Sequence, residues 1–168
     1  MKALPYLAFG LVVGASSAHA IDACMVGVWE ADGNDIAHVM AEQMGGTAAY
    51  LSGTVSLEIT EFGNMTLLAD DLVIEVKVPD TPAIQVSVVG YSQGAMNADD
   101  GTNYVANAPE YALAGSANVM GMRMDIPVTS ADGGVWGQST GTYGCTADGL
   151  AFEATALGSI PRSWRRVR

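Results

Sequence analysis

The stretch of sequence that decides the fold is TVSLEIT, residues 54–60, in which polar and apolar side chains alternate. Successive side chains of a β-strand point to opposite faces of the sheet, so this alternation predicts a strand with one buried face. Similar alternating or β-branched runs lie at 65–69, 72–78, 84–88, 102–106, 119–128, 135–143, 150–156 and 163–167. Glycine, proline, asparagine and aspartate cluster between these runs, as they do in tight turns. We therefore predict a mainly β domain, an antiparallel meander of about eight strands that closes into a barrel or packs as a sandwich.

One segment departs from this pattern and predicts a helix just after the first strand. Asn34 is a suitable N-cap for residues 35–44, and Gly45-Gly46 ends the run. Four apolar side chains recur on one face at helical spacing: Ile36, Val39, Met40 and Met44. We expect this amphipathic helix to cover one end of the barrel.

The first twenty residues have the three zones of a secretory signal peptide. Lys2 provides a positive start, residues 4–13 form a short apolar core, and Ala18-His19-Ala20 matches the small-x-small site that signal peptidases cleave. The core is shorter than the roughly 20 residues that a membrane-spanning helix needs. We therefore predict a signal peptide at 1–20, a single domain at 21–168 without a membrane span, and a periplasmic or extracellular location.

Residues 21–168 are strongly acidic. They carry 18 acidic side chains against six basic ones, and four of the six are arginines near the C-terminal end. Such a surface repels the phosphates of nucleic acids and anionic lipid head groups, so we expect neither as a partner. Solubility alone is a sufficient reason for this acidity.

Cys24 and Cys145 are the two cysteines of the sequence. In an oxidising compartment an even pair usually forms a disulfide. Neither cysteine belongs to a C-x-x-C motif or has a flanking basic residue, as a reactive thiol often does. We predict a structural disulfide between them.

Tryptophan motifs stand near both ends of the exported chain, Gly27-Val28-Trp29 and Trp164-Arg165-Arg166. Together they resemble the terminal motifs of lipocalin-like (calycin-type) β-barrels, in which the first strand carries G-x-W and an arginine of the last strand lies on the tryptophan ring. The resemblance implies a barrel closed at one end by Trp29, with Gly27 allowing close backbone approach and Arg165 or Arg166 in a cation–π contact. These residues would be structural and would do no chemistry. The helix after the first strand is more similar to that of fatty-acid-binding relatives than to secreted lipocalins.

Met120, Met122 and Met124 alternate along the predicted strand 119–128, so we expect all three on one face. Such thioethers either hold Cu(I) or form a flexible apolar lining. Because no histidine or cysteine lies nearby in the sequence, we favour the lining. These three residues, together with Met40 and Met44, are the predicted ligand-binding residues, and we expect no metal and no other cofactor.

Catalysis finds little support in the sequence. His38 is the single histidine after residue 20 and lies inside the predicted helix. Residues 90–94, GYSQG, lack the strand-to-helix turn of a nucleophile elbow, so we expect no enzyme. Our first hypothesis is an exported barrel that binds a small hydrophobic ligand. The alternative is a pocketless envelope interaction protein or an inhibitor of an exported enzyme, either of which would contact an exported protein partner, with residues 103–116 as the longest candidate surface.

Overall fold

The computed structural model describes residues 21–99, 101–126, 138–155 and 160–168. The predicted signal peptide at 1–20 lies outside them. The first half of the described chain contains β1 (Gly27–Ala31), α1 (Gly33–Met44), β2 (Thr47–Ile59), β3 (Asn64–Lys77) and β4 (Ile84–Asp99). The second half contains β5 (Asn103–Val119), β6 (Met122–Ile126), β7 (Gln138–Cys145), β8 (Gly149–Ala154) and β9 (Ser163–Arg166).

Eight of these strands form a closed antiparallel barrel. The order around the ring is β1, β2, β3, β4, β5, β7, β8 and β9. The ring closes where β9 pairs with β1, with Trp29 opposite Arg166 and Ala31 opposite Trp164. The prediction of a mainly β barrel with one short helix after the first strand is therefore confirmed.

The strand β6 lies outside the ring. It pairs with the C-terminal part of β5, where Val119 lies opposite Met122 and Gly115 opposite Ile126. The N-terminal part of β5 pairs instead with β7. Strands β2 to β5 have 13 to 17 residues, whereas the other four strands of the ring have eight or fewer. At one end the sheet therefore extends beyond the closed ring.

Large apolar side chains fill the interior of the ring. Trp29, Tyr104, Phe152, Leu57 and Leu67 are each at most 1% exposed. The rings of Tyr104 and Phe152 pack with their centroids 4.8 Å apart. Burial of side chains of this size supplies about 1.5–3 kcal/mol each, so this core is the main source of the stability of the barrel.

The helix α1 begins two residues earlier than the sequence predicts. Its N-cap is Asp32, whose carboxylate accepts a hydrogen bond of 2.8 Å from the backbone N–H of Asn34, so the predicted cap at Asn34 is wrong. The helix ends at Gly45, which adopts the left-handed conformation with φ of 65°. Ile36 and Ala37 are buried on the side that faces β2. At 12 residues α1 is too short to cross a bilayer, and no other described segment forms a helix that could do so.

The predicted disulfide is confirmed. Cys24 and Cys145 are joined with their Cα atoms 6.0 Å apart, although 121 positions separate them in the chain. The bond ties the segment before β1 to the end of β7. Disulfides of this kind persist in oxidising compartments.

Candidate functional site

Trp29 and Arg166 form a packed pair at the closed end of the barrel. The Cζ atom of Arg166 lies 4.0 Å from the centroid of the Trp29 ring. The Trp29 indole N–H donates a hydrogen bond of 2.8 Å to the carbonyl of Met25. The Arg166 guanidinium also donates hydrogen bonds of 2.6–2.8 Å to the backbone carbonyls of Cys24, Val26 and Ala147. With its donors engaged in these contacts, Arg166 holds together three segments of the chain.

The neighbouring residues of the two terminal motifs have different surroundings. Gly27 has a φ of +146°, and a Cβ there would lie 2.6 Å from a guanidinium nitrogen of Arg166. Arg165 points away from Trp29 and pairs with Glu30 at 2.9 Å in an exposed ion pair. The structure therefore assigns the tryptophan contact to Arg166 and places Arg165 on the outer surface near the C-terminal end of β1.

The predicted methionine lining is not present. Met120, Met122 and Met124 are 82%, 66% and 51% exposed. The predicted strand 119–128 is interrupted, because Met120 and Gly121 form the two-residue turn of the β5–β6 hairpin with φ of 52° and 82°. Positive φ at both central residues is the type I′ geometry that suits the twist of a hairpin. Residues 127 and 128 of that predicted strand lie outside the described residues.

The helical methionines also do not line a cavity with those of the hairpin. Met40 is half-buried and packs against the hydrophobic core. Met44 is 38% exposed at the last position of α1. The five predicted ligand-binding methionines are thus divided between the helix and the tip of the β5–β6 hairpin.

An open cavity of about 440 Å³ lies where the chain passes from β1 into α1, and we call it the rim pocket. Its volume falls within the range of about 300–1,000 Å³ that is usual for small-molecule sites. The pocket is lined by Glu30, Ala31, Asp32, Gly33, Asn34, Ile36, Tyr50, Gly53, Thr54, Val55, Leu72, Ser163, Trp164 and Arg165.

The rim pocket forms because β1 ends at Ala31 while β2 continues past it. The pairing of β2 with β3 shifts register on both sides of Ser52. Gly53, with φ of +89°, lies so close to β3 that a Cβ would overlap the carbonyl oxygen of Asp71. Irregularities of this kind bend a strand. The bend leaves a gap that the first turn of α1 and the side chain of Tyr50 border.

The walls of the rim pocket combine apolar and charged groups. Val55, Leu72 and Trp164 supply buried carbon surface. The indole N–H of Trp164 donates to the carbonyl of Pro161 at 2.7 Å, so its polar atom is already engaged. The Glu30–Arg165 ion pair is solvated, with side-chain exposures of 36% and 71%, and it marks the polar side of the pocket.

The tip of the Tyr50 side chain is held in place at the edge of the rim pocket. Its hydroxyl donates a hydrogen bond of 2.6 Å to the carbonyl of Gly53. Its ring lies on Gly33, where a Cβ would come within 2.5 Å of the ring carbons. A side chain at position 33 would therefore displace the Tyr50 ring from the start of the helix. The periodic patterns of the sequence do not predict this contact between Tyr50 and Gly33.

Comparison of the chain with family models, with curated proteins and with solved structures finds no match.

His38 and Ser92, the two residues considered as catalytic in the sequence analysis, lie on different elements, α1 and β4. The His38 side chain is 62% exposed on α1, with Nε2 3.6 Å from a carboxylate oxygen of Glu42. Ser92 is buried within β4 and is not at a strand-to-helix turn. In the described part of the chain, no group of three or more His, Cys, Asp or Glu side chains could hold a metal ion.

Tyr104 is a buried titratable group in the barrel interior. Its hydroxyl lies 2.6 Å from the hydroxyl of Ser139. Burial raises the pKa of the Tyr104 phenol above its ordinary value of 10.0, and the hydrogen bond with Ser139 partly opposes this shift. The neutral phenol is thus the form that the folded barrel favours.

A second candidate surface lies on the outer face of β3, β4 and β5, and we call it the outer patch. Its members are exposed and adjacent across the sheet: Leu68, Val89, Tyr91, Ala112 and Ala114. The three larger ones, Leu68, Val89 and Tyr91, are 40–44% exposed. Residues 103–116, predicted as a candidate surface, prove to be part of β5. Two of them belong to the patch, whereas Tyr104 is buried.

Proposed function

We propose that this protein is an exported, non-catalytic binding protein of lipocalin-like architecture, and that the rim pocket holds a small ligand. The ligand has an apolar body and a polar end. The rim pocket carries this proposal, because it is an open cavity of suitable size whose lining includes both apolar side chains and a charged pair. Buried side chains occupy the described interior of the barrel near Trp29, which supports a site at the rim over one inside the ring.

The contact between Trp29 and Arg166 supports the lipocalin-like part of the proposal. A G-x-W in the first strand and an arginine of the last strand meet at the closed end, as in that family. The helix that follows β1 supports it further, because its first turn borders the pocket. A fold of this kind hosts many functions, so the binding role depends on the pocket and not on the fold.

Two observations support export. The Cys24–Cys145 disulfide is typical of proteins outside the reducing cytosol. Residues 1–20 have the charge, apolar core and cleavage pattern of a signal peptide. Analysis of the N-terminus of the protein recovered from the exported fraction tests this part, with Ile21 as the expected first residue.

The binding role is tested by native mass spectrometry of the protein from its own exported fraction, with Thr54→Trp as a blocking variant. Thr54 is exposed and lines the rim pocket, so an indole there fills the cavity. The matched control is Thr47→Trp, an exposed threonine at the start of the same strand that does not line the pocket. Binding of the uncharged probe N-phenyl-1-naphthylamine is measured in parallel by fluorescence.

We expect the wild type and Thr47→Trp to carry a small-molecule adduct that is lost on denaturation. We expect Thr54→Trp to lose the adduct and to bind the probe at least about tenfold more weakly, a change of about 1.4 kcal/mol. A bare wild-type mass together with equal probe affinity in the two variants would overturn the proposal.

The outer patch supports a second candidate, the binding of an exported protein partner. Exposed apolar side chains that are contiguous across three strands are typical of interaction surfaces. A photo-crosslinking amino acid at position 91 tests this, with the same amino acid at position 75 as control. Glu75 lies on β3 opposite Gln85, away from the patch. One defined cross-linked partner from position 91 and none from position 75 is expected if this second candidate is correct.

A further inference from the structure

The β5–β6 hairpin presents three methionine side chains to solvent, and we call Met120, Met122 and Met124 the methionine hairpin. Their exposures of 82%, 66% and 51% mean that packing does not account for them. Methionine also loses more side-chain entropy on ordering than leucine or isoleucine. An exposed cluster of this residue therefore calls for a property of the thioether itself.

The backbone places the three methionines on one short hairpin. Met122 lies opposite Val119 and Met124 opposite Ala117 in the antiparallel pairing, so both methionines share one face of β6. Two residues of rise place their Cα atoms about 7 Å apart. Met120 is in the turn directly before β6. Each methionine has three rotatable bonds, which allows sulfurs at this spacing to reach a common point.

Thioether sulfur is a soft, uncharged ligand that binds few kinds of metal ion. Soft thioether ligands select Cu(I), whereas carboxylate and carbonyl oxygens select calcium and magnesium. Both cysteines are in the disulfide, so no thiolate of this chain competes for a soft ion. The excess of acidic over basic residues in 21–168 attracts cations in general.

We propose that the methionine hairpin is a binding site for a soft monovalent cation, Cu(I) or its redox-inert analogue Ag(I). This site is separate from the rim pocket, since none of the three methionines lines that cavity. The exposure of the hairpin removes the reason for treating these residues as an apolar lining. The site needs no histidine, so its affinity does not follow the protonation of an imidazole.

The probe for this site is Ag(I) alone, added to the oxidised protein in chloride-free buffer. Affinity is measured by calorimetry, and the methyl resonances of the methionines are followed by NMR. The test variant replaces all three residues with leucine, Met120→Leu, Met122→Leu and Met124→Leu. Met44→Leu is the matched control because Met44 is also exposed but lies on α1.

We expect one Ag(I) to bind and to shift the methyl signals of the methionine hairpin, while the signal of Met44 stays in place. The triple variant is expected to lose at least about tenfold in affinity, and Met44→Leu to lose none. Affinity should also be the same between about pH 5 and pH 7, a range in which a histidine site weakens.

Three results would overturn the inference. The triple variant could retain wild-type affinity, the hairpin methyl signals could remain unshifted when Ag(I) binds, or the affinity for Ag(I) could fall between about pH 7 and pH 5 as it does at a histidine site. The NMR result is obtained on the wild type and does not depend on the folding of any variant. A wild type without a pocket adduct leaves the Ag(I) measurement unaffected, so the two proposals fail separately.

Discussion

Replacement of Arg166 by methionine removes the guanidinium but keeps an unbranched side chain on the Trp29 ring. The change removes the cation–π contact and three hydrogen bonds to backbone carbonyls. Arg165→Met is the matched control, since it changes the same residue type one position away on β9. Within the described residues, the side-chain contact that Arg165 loses is its exposed ion pair with Glu30.

The expected magnitude follows from these contacts. A hydrogen bond from a charged donor contributes about 1.5–3 kcal/mol, and a cation–π contact about 0.5–2 kcal/mol. The hydrogen bond to Ala147 is exposed, so water can replace it, and contributions within one network are not additive. We therefore expect Arg166→Met to lower the free energy of unfolding by about 3–5 kcal/mol. An exposed ion pair such as Arg165–Glu30 contributes about 0–1 kcal/mol.

The assay is thermal unfolding of the disulfide-intact proteins, followed by circular dichroism and calorimetry. A loss of 1 kcal/mol lowers Tm by about 2–4 °C in a domain of this size, so Arg166→Met should lower Tm by about 10 °C and Arg165→Met by about 2 °C. Near-ultraviolet circular dichroism should change only in Arg166→Met, because Trp29 loses its ordered partner. Equal Tm shifts for the two variants would refute the assignment of Arg166 as the residue that closes the barrel.

Three further predictions concern stability. The double variant Cys24→Ser/Cys145→Ser should lose up to about 4–5 kcal/mol of unfolding free energy in urea titrations, because the bond closes a loop of more than a hundred residues; a loss below about 1 kcal/mol would contradict this. Burial raises the pKa of the Tyr104 phenol in the folded protein above 10.0, the ordinary value taken for the unfolded chain. The contribution of the neutral phenol to the free energy of unfolding is therefore fully present below pH 10.0 and is lost as the pH rises through the pKa of the folded state. Tyr104→Phe should therefore lose less stability at alkaline pH than the wild type, measured as the change in urea midpoint between about pH 9 and pH 11. Identical changes in the two proteins would exclude the buried phenol as the source of the alkaline loss. Gly53→Ala should lower the free energy of unfolding by about 3 kcal/mol or more, since a Cβ at this position overlaps the backbone of β3. Gly101→Ala should lower it by about 1 kcal/mol, because Gly101 has a φ of +68° but open space around it. Equal losses in urea titrations of the two variants would show that the backbone conformation alone matters.

The strands and the helix could be predicted from the sequence because the patterns that indicate them involve residues close together in the chain. In the stretch 54–60, Val55, Leu57 and Ile59 prove buried, as the alternation of side chains predicts. The end of α1 at Gly45 also follows from a local rule, since glycine adopts the left-handed conformation at helix ends. The start was misplaced because Asp32 and Asn34 are both good N-caps, and only the end of β1 at Ala31 decides between them.

The methionine hairpin shows how a local pattern can mislead. Alternation at Met120, Met122 and Met124 fits a continuous strand, but the chain reverses at Met120-Gly121. A non-glycine residue with positive φ is rare, so Met120 gave no turn signal. The glycine beside it was the only available indication.

The rim pocket could not be predicted from the sequence because it is formed by segments that lie far apart in the chain. It needs the irregular pairing of β2 with β3, the ring of Tyr50 on Gly33, and the junction of β1 with β9. No periodic pattern in the sequence predicts any of these contacts. The assignment of Arg166 over Arg165 is a similar case: the two alternate on one strand, and only the register of β9 against β1 determines which one faces Trp29.

The distribution of polar contacts indicates that the two ends of the barrel have different roles. At the closed end, the donors of Arg166 and the indole N–H of Trp29 are satisfied by backbone carbonyls, which makes this end costly to alter. At the open end, the Glu30–Arg165 pair is solvated, and the methionine hairpin extends beyond the ring. Substitutions on such an exposed surface usually change stability by no more than about 0.5 kcal/mol. The exposed residues at this end, such as Arg165 and Met122, can therefore vary without loss of the fold, and both proposed sites include residues of this kind.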